Sequence, residues 1–136
     1  MLHRHIELYL HIIWSTWDRV PWIKEGIRPR LYGVVIAKAR EHNCTLVVVG
    51  GVRDHVHVLV RAPPTLRPCD LIGALKGVSS RFAHAELGVV PTMSWSEGYA
   101  LFSVDADRAD ELTTYIRDQP RHHDENTTLA ARELPQ

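Results

Sequence analysis

The segment from residue 45 to residue 61 restricts the fold more than any other part of the chain. Its first half, 45–52, is rich in β-branched residues, and its second half, 55–61, reads His-Val-His-Val-Leu-Val-Arg. Only Arg53 and Asp54 separate the two runs, so the pattern predicts an antiparallel hairpin. An antiparallel sheet is therefore part of any fold that this chain adopts.

Successive side chains of a strand point to opposite faces of a sheet. His55 and His57 therefore lie on one face, and Val56, Val58 and Val60 lie on the other. The valines suit a face covered by helices, so we expect the histidines on the opposite, open face. Two imidazoles side by side provide half of a divalent-metal site. Such a pair is equally often packed or solvent-facing without a metal.

Hydrophobic periodicity predicts the remaining elements. They are a first strand at 6–15, a helix at 28–43, a helix at 69–87, a fourth strand at 95–104 and a third helix at 105–119. Pro29 is tolerated in the first turn of its helix. Asp105 or Asp107 is expected to cap the third helix, and Pro120 is expected to end it.

The resulting order, β-α-β-β-α-β, predicts an α+β fold of the ferredoxin-like, split β-α-β type. It has a four-stranded antiparallel sheet with two helices on one face, plus a C-terminal helix. With 136 residues, the chain is expected to form a single domain over 1–136. Residues 124–136 are expected to be a polar C-terminal tail or a short helix.

Composition argues against several classes of protein. No apolar run approaches the roughly 18 residues that span a bilayer, and the start lacks a signal-peptide pattern, so no membrane association is expected. Cys44 and Cys69 have neither zinc spacing nor a redox partner, which favours a reducing cytoplasm. Sixteen basic residues balance sixteen acidic ones. A neutral total argues mildly against nucleic-acid binding, although most basic residues lie between 19 and 81.

Tyr115 and Gln119 could complete the metal site, because residues four apart share one face of a helix. Gln119 would give a carbonyl oxygen to a metal held by His55 and His57, and Tyr115 would be a nucleophile beside it. A free tyrosine is ionised about one part in a thousand at neutral pH, a deficit of about 4 kcal/mol. A cation on an attacked phosphate offsets that deficit. A tyrosine late in an amphipathic helix is nevertheless usually a core residue, and a glutamine before proline is usually a helix end.

Five segments, in the same order along the chain, resemble the single-tyrosine HUH transposases. They are Tyr-Leu-His-Ile-Ile-Trp-Ser-Thr at 9–16 with Arg19 and Pro21, the His-Val-His strand at 52–60, Leu-Lys-Gly-Val-Ser-Ser-Arg-Phe at 75–82, the segment 95–103 with Trp95, Tyr99 and Phe102, and Tyr-Ile-Arg-Asp-Gln at 115–119 with His122 and His123 behind it. The resemblance extends over about residues 6 to 123. It is to insertion-sequence transposases of the IS-two-hundred-like type, or to relatives associated with repetitive extragenic palindromes.

This resemblance implies a DNA strand transferase that cleaves and rejoins single-stranded DNA through a 5′-phosphotyrosine. Tyr115 would be the catalytic residue, and His55, His57 and Gln119 would bind Mg²⁺ or Mn²⁺. The partners would be single-stranded DNA with hairpins near element ends and a second copy of the chain. In such a homodimer the tyrosine helix of one subunit serves the histidine strand of the other, which fits a third helix with little core of its own.

Candidate DNA contacts follow from charge and from aromatic character. Phosphate contacts are expected from Lys76, Arg81, Arg53 and Arg61. Unpaired bases could stack on Trp14, Trp17 or Trp22, although Trp14 is the one most expected to be packed in the core.

Two other functions remain possible from the residues alone. A non-catalytic or domesticated single-strand nucleic-acid-binding protein on this sheet would place aromatic residues on the middle strands, where this chain has histidine and valine. A metal-dependent hydrolase would use water and leave Tyr115 structural.

Overall fold

The computed structural model describes residues 4–86 and 94–134, whose elements follow the predicted order. The strands are β1 (Tyr9–Ser15), β2 (Thr45–Gly51), β3 (His55–Arg61) and β4 (Ala100–Val104). The helices are α1 (Arg28–Glu41), α2 (Pro68–Glu86), α3 (Ala109–Arg117) and α4 (Gln119–Asp124). Short 3-10 turns lie at Trp17–Arg19, Ala106–Arg108 and Ala130–Arg132. The predicted α+β, ferredoxin-like fold is confirmed.

The four strands form one antiparallel sheet in the order β2-β3-β1-β4. β1 and β3 are its inner pair, and their register sets Ile13 opposite His57 and Ile12 opposite Val58. Both strands are buried at almost every position, because elements cover the sheet on both faces. The hairpin predicted between β2 and β3 is confirmed.

The main hydrophobic core lies between the sheet and the helices α1 and α2. Val56, Val58 and Val60 project into it from β3, where they pack with Leu31 of α1 and Leu75 of α2. α1 begins with proline in its first turn, as expected. The valine face of β3 is therefore the helix-covered face that alternation predicted.

The histidine face of the sheet was expected to be open, and that expectation was wrong. α3 packs on this face through a second core that contains Val48, Leu59, Leu112, Tyr115 and Ile116. The expectation that the third helix has little core of its own was therefore also wrong.

The third helix is shorter than predicted and is followed by a separate helix. α3 ends at Arg117, and Asp118 has the non-helical angles φ −92° and ψ 14°. Pro120 has no N–H to continue the helix, but its fixed φ suits the first turn of α4. The residue at the N-terminal cap of α3 is Arg108, whereas Asp105 precedes the 3-10 turn without a side-chain capping bond and Asp107 lies within it, so neither predicted cap is formed.

β4 begins five residues later than predicted. Trp95 makes only an isolated bridge to Thr16. The carbonyl groups of Ser96, Glu97 and Gly98 accept hydrogen bonds from the Lys76 ammonium at 2.7, 3.3 and 3.2 Å instead of pairing with β1. A side chain from α2 therefore binds the carbonyl groups of this segment, while one backbone hydrogen bond, from the Ser96 N–H to the Ser15 carbonyl at 2.9 Å, still joins it to β1.

Two further expectations concern the cell environment. Within residues 4–86 and 94–134, no helix is both long enough and apolar enough to cross a bilayer. Cys44 is buried, Cys69 is exposed, and both are free thiols.

Gly50 lies on the face of β2 against which α3 packs. A Cβ atom at this position would come within 2.1 Å of the Ile116 carbonyl oxygen, which is backbone and cannot rotate away. We expect Gly50→Ala to push α3 off the sheet and lower the free energy of unfolding by about 1–3 kcal/mol. Denaturant unfolding measures this. Gly73→Ala, where a Cβ meets nothing within 4 Å, is the control and should be neutral or stabilising. Equal losses in both variants would contradict the packing argument.

Candidate functional site

His55 and His57 lie side by side on β3 with their rings buried beneath α3, α4 and the C-terminal segment. Their ring centroids are 5.1 Å apart. Both Nε2 atoms face the same carboxylate, because Glu133 Oε1 is 3.3 Å from His55 Nε2 and 3.2 Å from His57 Nε2. The predicted pair therefore shares one face and one partner.

Each of these histidines has a second partner on its other ring nitrogen. His55 Nδ1 is 2.8 Å from Asp54 Oδ1, and Asp54 also lies near the Arg19 guanidinium, with Oδ2 3.5 Å from Nε. His57 Nδ1 is 2.9 Å from Nε2 of His11, a buried residue of β1. Both rings are thus fixed in orientation, one by a carboxylate and the other by an imidazole.

Gln119 reaches the site although it begins a different helix from Tyr115. Its side chain is fully buried, and its carbonyl oxygen is 3.2 Å from His55 Nε2 and 3.1 Å from His123 Nε2. Its amide donates to Glu133 Oε2 at 3.0 Å. The geometry assumed for Gln119 on a continuous helix was wrong, but the turn at Asp118 still directs its side chain to the histidines.

Tyr115 is a core residue through its ring and remains a candidate nucleophile through its hydroxyl. Its ring is part of the second core, and its hydroxyl leaves that core to donate a short hydrogen bond to Glu133 Oε2. The same hydroxyl accepts a hydrogen bond from the backbone N–H of Leu129 at 2.9 Å. The structure therefore brings together Tyr115, Gln119 and both histidines, all around one carboxylate.

Glu133 is the site residue that sequence reasoning did not identify. It lies in the 124–136 segment, just after the 3-10 turn Ala130–Arg132, and its carboxylate contacts His55, His57, Tyr115 and Gln119. No periodicity or spacing in that segment singles it out from other glutamates. Arg132 beside it lies over the Tyr115 ring, 5.5 Å from the centroid, and pairs with Glu111 at 3.2 Å, so two contacts hold the segment against α3.

The electrostatics of the site follow from burial and from these short contacts. Burial alone would lower the pKa of His55, but its hydrogen bonds to Asp54 and Glu133 outweigh burial and raise the pKa to about 9. Burial dominates for His57, whose pKa is lowered. Burial opposes ionisation of Glu133, but hydrogen bonds from both histidines hold the pKa of its carboxyl far below the usual range.

Tyr115, the candidate nucleophile, and His11, the histidine that contacts His57, are both uncharged at neutral pH. Burial and the neighbouring Glu133 carboxylate raise the pKa of Tyr115 to about 12. Burial, with a smaller contribution from His57, lowers the pKa of His11 to about 3. Tyr115 in this arrangement is therefore less ionised than a free tyrosine.

The donor atoms are spaced as ligands of a divalent cation are spaced. One ring nitrogen of His55, one of His57 and an oxygen of Glu133 lie within 4.8 Å of one another. Ligands at about 2.1 Å on adjacent octahedral positions are about 3 Å apart, close to the 3.2–3.3 Å separations here. Two imidazoles with a carboxylate and an amide oxygen form a mixed N/O set that suits a first-row or magnesium-like cation.

A cavity of about 720 Å³ opens beside the histidines. It is lined by Ser15, Arg19, His55, Ser96, Gly98, Tyr99, His123, Thr128, Glu133 and Leu134. Tyr99 is about half exposed, and Trp17 is the most exposed large hydrophobic residue among those described. The backbone at Asp18 and Arg19 has φ of 52° and 54°, a left-handed conformation that is unusual for residues other than glycine and is often found near functional sites.

The four basic residues expected to contact phosphate have different surroundings. Lys76 is engaged with three carbonyl groups, as described above, and Arg61 donates to the Ile6 carbonyl and lies over the Tyr9 ring. Arg53 and Arg81 have exposed side chains. Lys76 and Arg61 therefore have structural partners, and only the other two project freely towards solvent.

The three tryptophans considered for base stacking also differ. Trp14 and Trp22 are buried in the main core, where both pack against Trp95. Trp95 in turn donates its indole N–H to the Lys76 carbonyl and to Ser79 Oγ. Trp17 alone among the three has an accessible ring.

Comparison with known proteins identifies the family. Residues 4–119 match the family model described as "Transposase IS200 like". This chain belongs to that transposase family. The family resemblance inferred from the five sequence segments is confirmed. A search of curated proteins finds no match.

Two solved structures are similar to this IS200-like chain. One is a candidate transposase from Deinococcus radiodurans R1, with 25% sequence identity and a TM-score of 0.68 over 88% of this chain and 95% of that one. The other is a REP-associated tyrosine transposase bound to a REP hairpin, with 14% identity and a TM-score of 0.64 over 90% of this chain and 74% of that one. The second comparison supports the fold alone.

Proposed function

We propose that this IS200-like transposase cleaves and rejoins single-stranded DNA with Tyr115 as its nucleophile. One observation carries the proposal: the Tyr115 hydroxyl and the ring nitrogens of His55 and His57 all contact a single carboxylate, that of Glu133. The proposed nucleophile and the proposed metal ligands are therefore neighbours, because they share this carboxylate as a partner. The second core fixes the Tyr115 ring and leaves only its hydroxyl to react.

The proposed step is a transesterification. The phenolic oxygen of Tyr115 forms a bond to phosphorus while the bond from phosphorus to the 3′ oxygen breaks, which leaves a 5′-phosphotyrosine and a free 3′-hydroxyl. The proton lost by the phenol is balanced by the proton gained by the 3′ oxygen. Attack by that hydroxyl, or by another 3′-hydroxyl, reverses the step without ATP.

Four side chains would hold the cation, which we propose is Mg²⁺ or Mn²⁺. His55 and His57 would bind through Nε2, and Gln119 and Glu133 would bind through oxygen. When bound, such a cation would supply positive charge to the attacked phosphate and to the leaving oxygen. The hydrogen bond to Glu133 contributes to the raised pKa of Tyr115, about 12, so the phenol is poorly ionised while it makes this bond. Tyr115 must therefore exchange that hydrogen bond for contact with the phosphate.

We propose that the unpaired strand reaches the site through the cavity beside His55. Tyr99 offers a half-exposed ring for base stacking, and Arg19, which also lines the cavity, would contact a phosphate. Exposed Arg53 and Arg81 remain proposed phosphate contacts, and hairpin recognition remains an expectation from the family. Action on cellular DNA also agrees with the reducing cytoplasm that two free cysteines suggest.

The first prediction from this proposed function concerns the covalent intermediate. Incubated with Mn²⁺ and single-stranded DNA that carries hairpins, the chain should form a protein–DNA adduct visible on a denaturing gel. Tyr115→Phe should abolish the adduct, and His57→Ala should reduce its rate of formation by about 100-fold or more. Cleavage that persists without an adduct in Tyr115→Phe would favour a water-using hydrolase. Tight binding without any cleavage would favour a non-catalytic binding protein.

The same two variants test whether a homodimer exchanges its tyrosine helices. Tyr115 lies beside the histidines of its own chain, so we propose that one chain forms a complete site. A mixture of Tyr115→Phe and His57→Ala should then form the adduct no faster than His57→Ala does alone. Faster adduct formation in the mixture would instead support the exchanged homodimer that the family resemblance implies.

The second prediction concerns the metal ligands. In the DNA-free protein, Glu133→Gln should weaken Mn²⁺ binding by more than the roughly 10- to 100-fold that losing an outer hydrogen-bond partner costs. Gln119→Ala should weaken it less, because a neutral oxygen is lost. Electron paramagnetic resonance of free Mn²⁺ measures both. Glu125→Gln, at an exposed glutamate that pairs with Arg121, is the control. Unchanged affinity in Glu133→Gln would remove Glu133 from the ligand set.

The third prediction concerns the strand path. In a Tyr115→Phe background, which separates binding from cleavage, Tyr99→Ala should weaken binding of a short oligothymidine by about 5- to 150-fold, the value of one lost stacking contact. Tyr99→Phe should retain binding, since the ring is kept. Fluorescence anisotropy measures both. Leu101→Ala removes a similarly exposed side chain from β4, outside the cavity, and should have no effect. An equal loss in Leu101→Ala would contradict the proposed path.

A further inference from the structure

His11 is a buried titratable residue whose purpose the proposed chemistry does not explain. It lies in the middle of β1, with 1% of its surface exposed, between His57 and Phe102. Its ring lies nearly parallel to that of His57, at an interplanar angle of 20°, and its Nε2 is 2.9 Å from His57 Nδ1. A buried imidazole is costly unless its nitrogens are paired, so this contact calls for an explanation.

The contact constrains where the protons of both rings lie. A neutral imidazole has one donor and one acceptor nitrogen, so one ring must donate and the other must accept. When His57 Nε2 faces the Glu133 carboxylate without a cation, it donates its proton there, and Nδ1 must accept from His11. When Nε2 instead offers its lone pair to a cation, the proton of His57 is on Nδ1, and His11 must accept it.

We propose that His11 is a positioning residue that holds His57 in the orientation for metal binding and serves as its hydrogen-bond partner in both forms. The inference rests on the proposed metal site. An imidazole can donate in one form and accept in the other, whereas the Asp54 carboxylate behind His55 only accepts. Between the two forms, one proton passes from His11 Nε2 to His57 Nδ1. His57 Nε2 loses a proton and His11 Nδ1 gains one, so both rings stay neutral.

The surroundings of His11 support this role. Sheet register, not a flexible loop, fixes its position, because His11 is opposite Leu59 on one side and Phe102 on the other. His11 also lines a cavity of about 380 Å³, whose lining includes Phe102 and Arg132 but none of the proposed metal ligands. In the proposed exchange, the proton on His11 Nδ1 would pass to and from solvent through that cavity. Histidine ligands of metals usually donate their other N–H to a partner that fixes the ring, and this partner affects affinity.

The test is Mn²⁺ binding to the DNA-free chain, measured by electron paramagnetic resonance, with the unfolding midpoint in EDTA as a control for packing. His11→Phe keeps a ring but cannot hydrogen-bond, and should weaken Mn²⁺ binding by about 10- to 100-fold. His11→Gln can both donate and accept, and should bind within about threefold of the unmodified chain. Phe102→Leu alters packing on the other side of His11 and should not change the affinity.

A second measurement reads the tautomers directly. Long-range ¹H–¹⁵N spectra of the Mg²⁺-loaded chain should show a proton on Nδ1 of both His11 and His57, and EDTA should move both protons to Nε2. Unchanged affinity in folded His11→Phe, or a bare Nδ1 on metal-bound His57, would overturn the inference alone. Failure of the unmodified chain to bind Mn²⁺ would overturn the metal site and this inference together.

Discussion

The pairing of β1 with β3 is the constraint on which the rest of the structure depends. These two inner strands present Ile12, Trp14 and the three valines of β3 to one core, and their histidines with Tyr9 and Leu59 to the other face. A slip of one residue would turn every side chain over and bury the histidines among α1 and α2. The large apolar core on the valine face therefore also fixes the position of the site on the opposite face. Stability and function share one register.

The second face is completed by close contact between backbone segments. α3 can bring the Ile116 carbonyl against β2 because Gly50 has no Cβ there. This contact sets the depth at which the Tyr115 ring enters the second core, and hence how far its hydroxyl projects towards the histidines. Lys76 has a similar role at the other end of the site. Its ammonium satisfies the carbonyl groups of 96–98 and so holds the cavity wall beside Tyr99. Lys76, which the sequence predicts as a phosphate contact, thus shapes the cavity in which DNA is proposed to lie.

Much of this arrangement could be predicted because it rests on local alternation. His55 and His57 share a face with period two, and their face could be chosen because Val56, Val58 and Val60 required the helices. The extent of β4 could not be predicted, because a distant lysine competes for its carbonyl groups. The break at Asp118 and the cover over the histidine face also depended on tertiary packing. Glu133 was missed because its role arises only when the C-terminal segment folds back, and neighbouring glutamates have the same local sequence character.

The charges around Glu133 explain why a carboxylate suits this buried position. Before a cation and DNA bind, a protonated His55 and an ionised Glu133 form a neutral pair, as the pKa of about 9 for His55 indicates. Burying a net charge costs several kcal/mol even after relaxation, so neutrality is favoured at each stage. In the proposed complex His55 would be neutral, and a divalent cation would face one negative charge from Glu133 and one from a phosphodiester. That sum is again zero. Glutamine at position 133 would leave an uncompensated positive charge in the complex, whereas Gln119 adds an oxygen ligand without changing the balance. The carboxylate thus meets the requirement for neutrality both before the cation and the DNA bind and when both are bound.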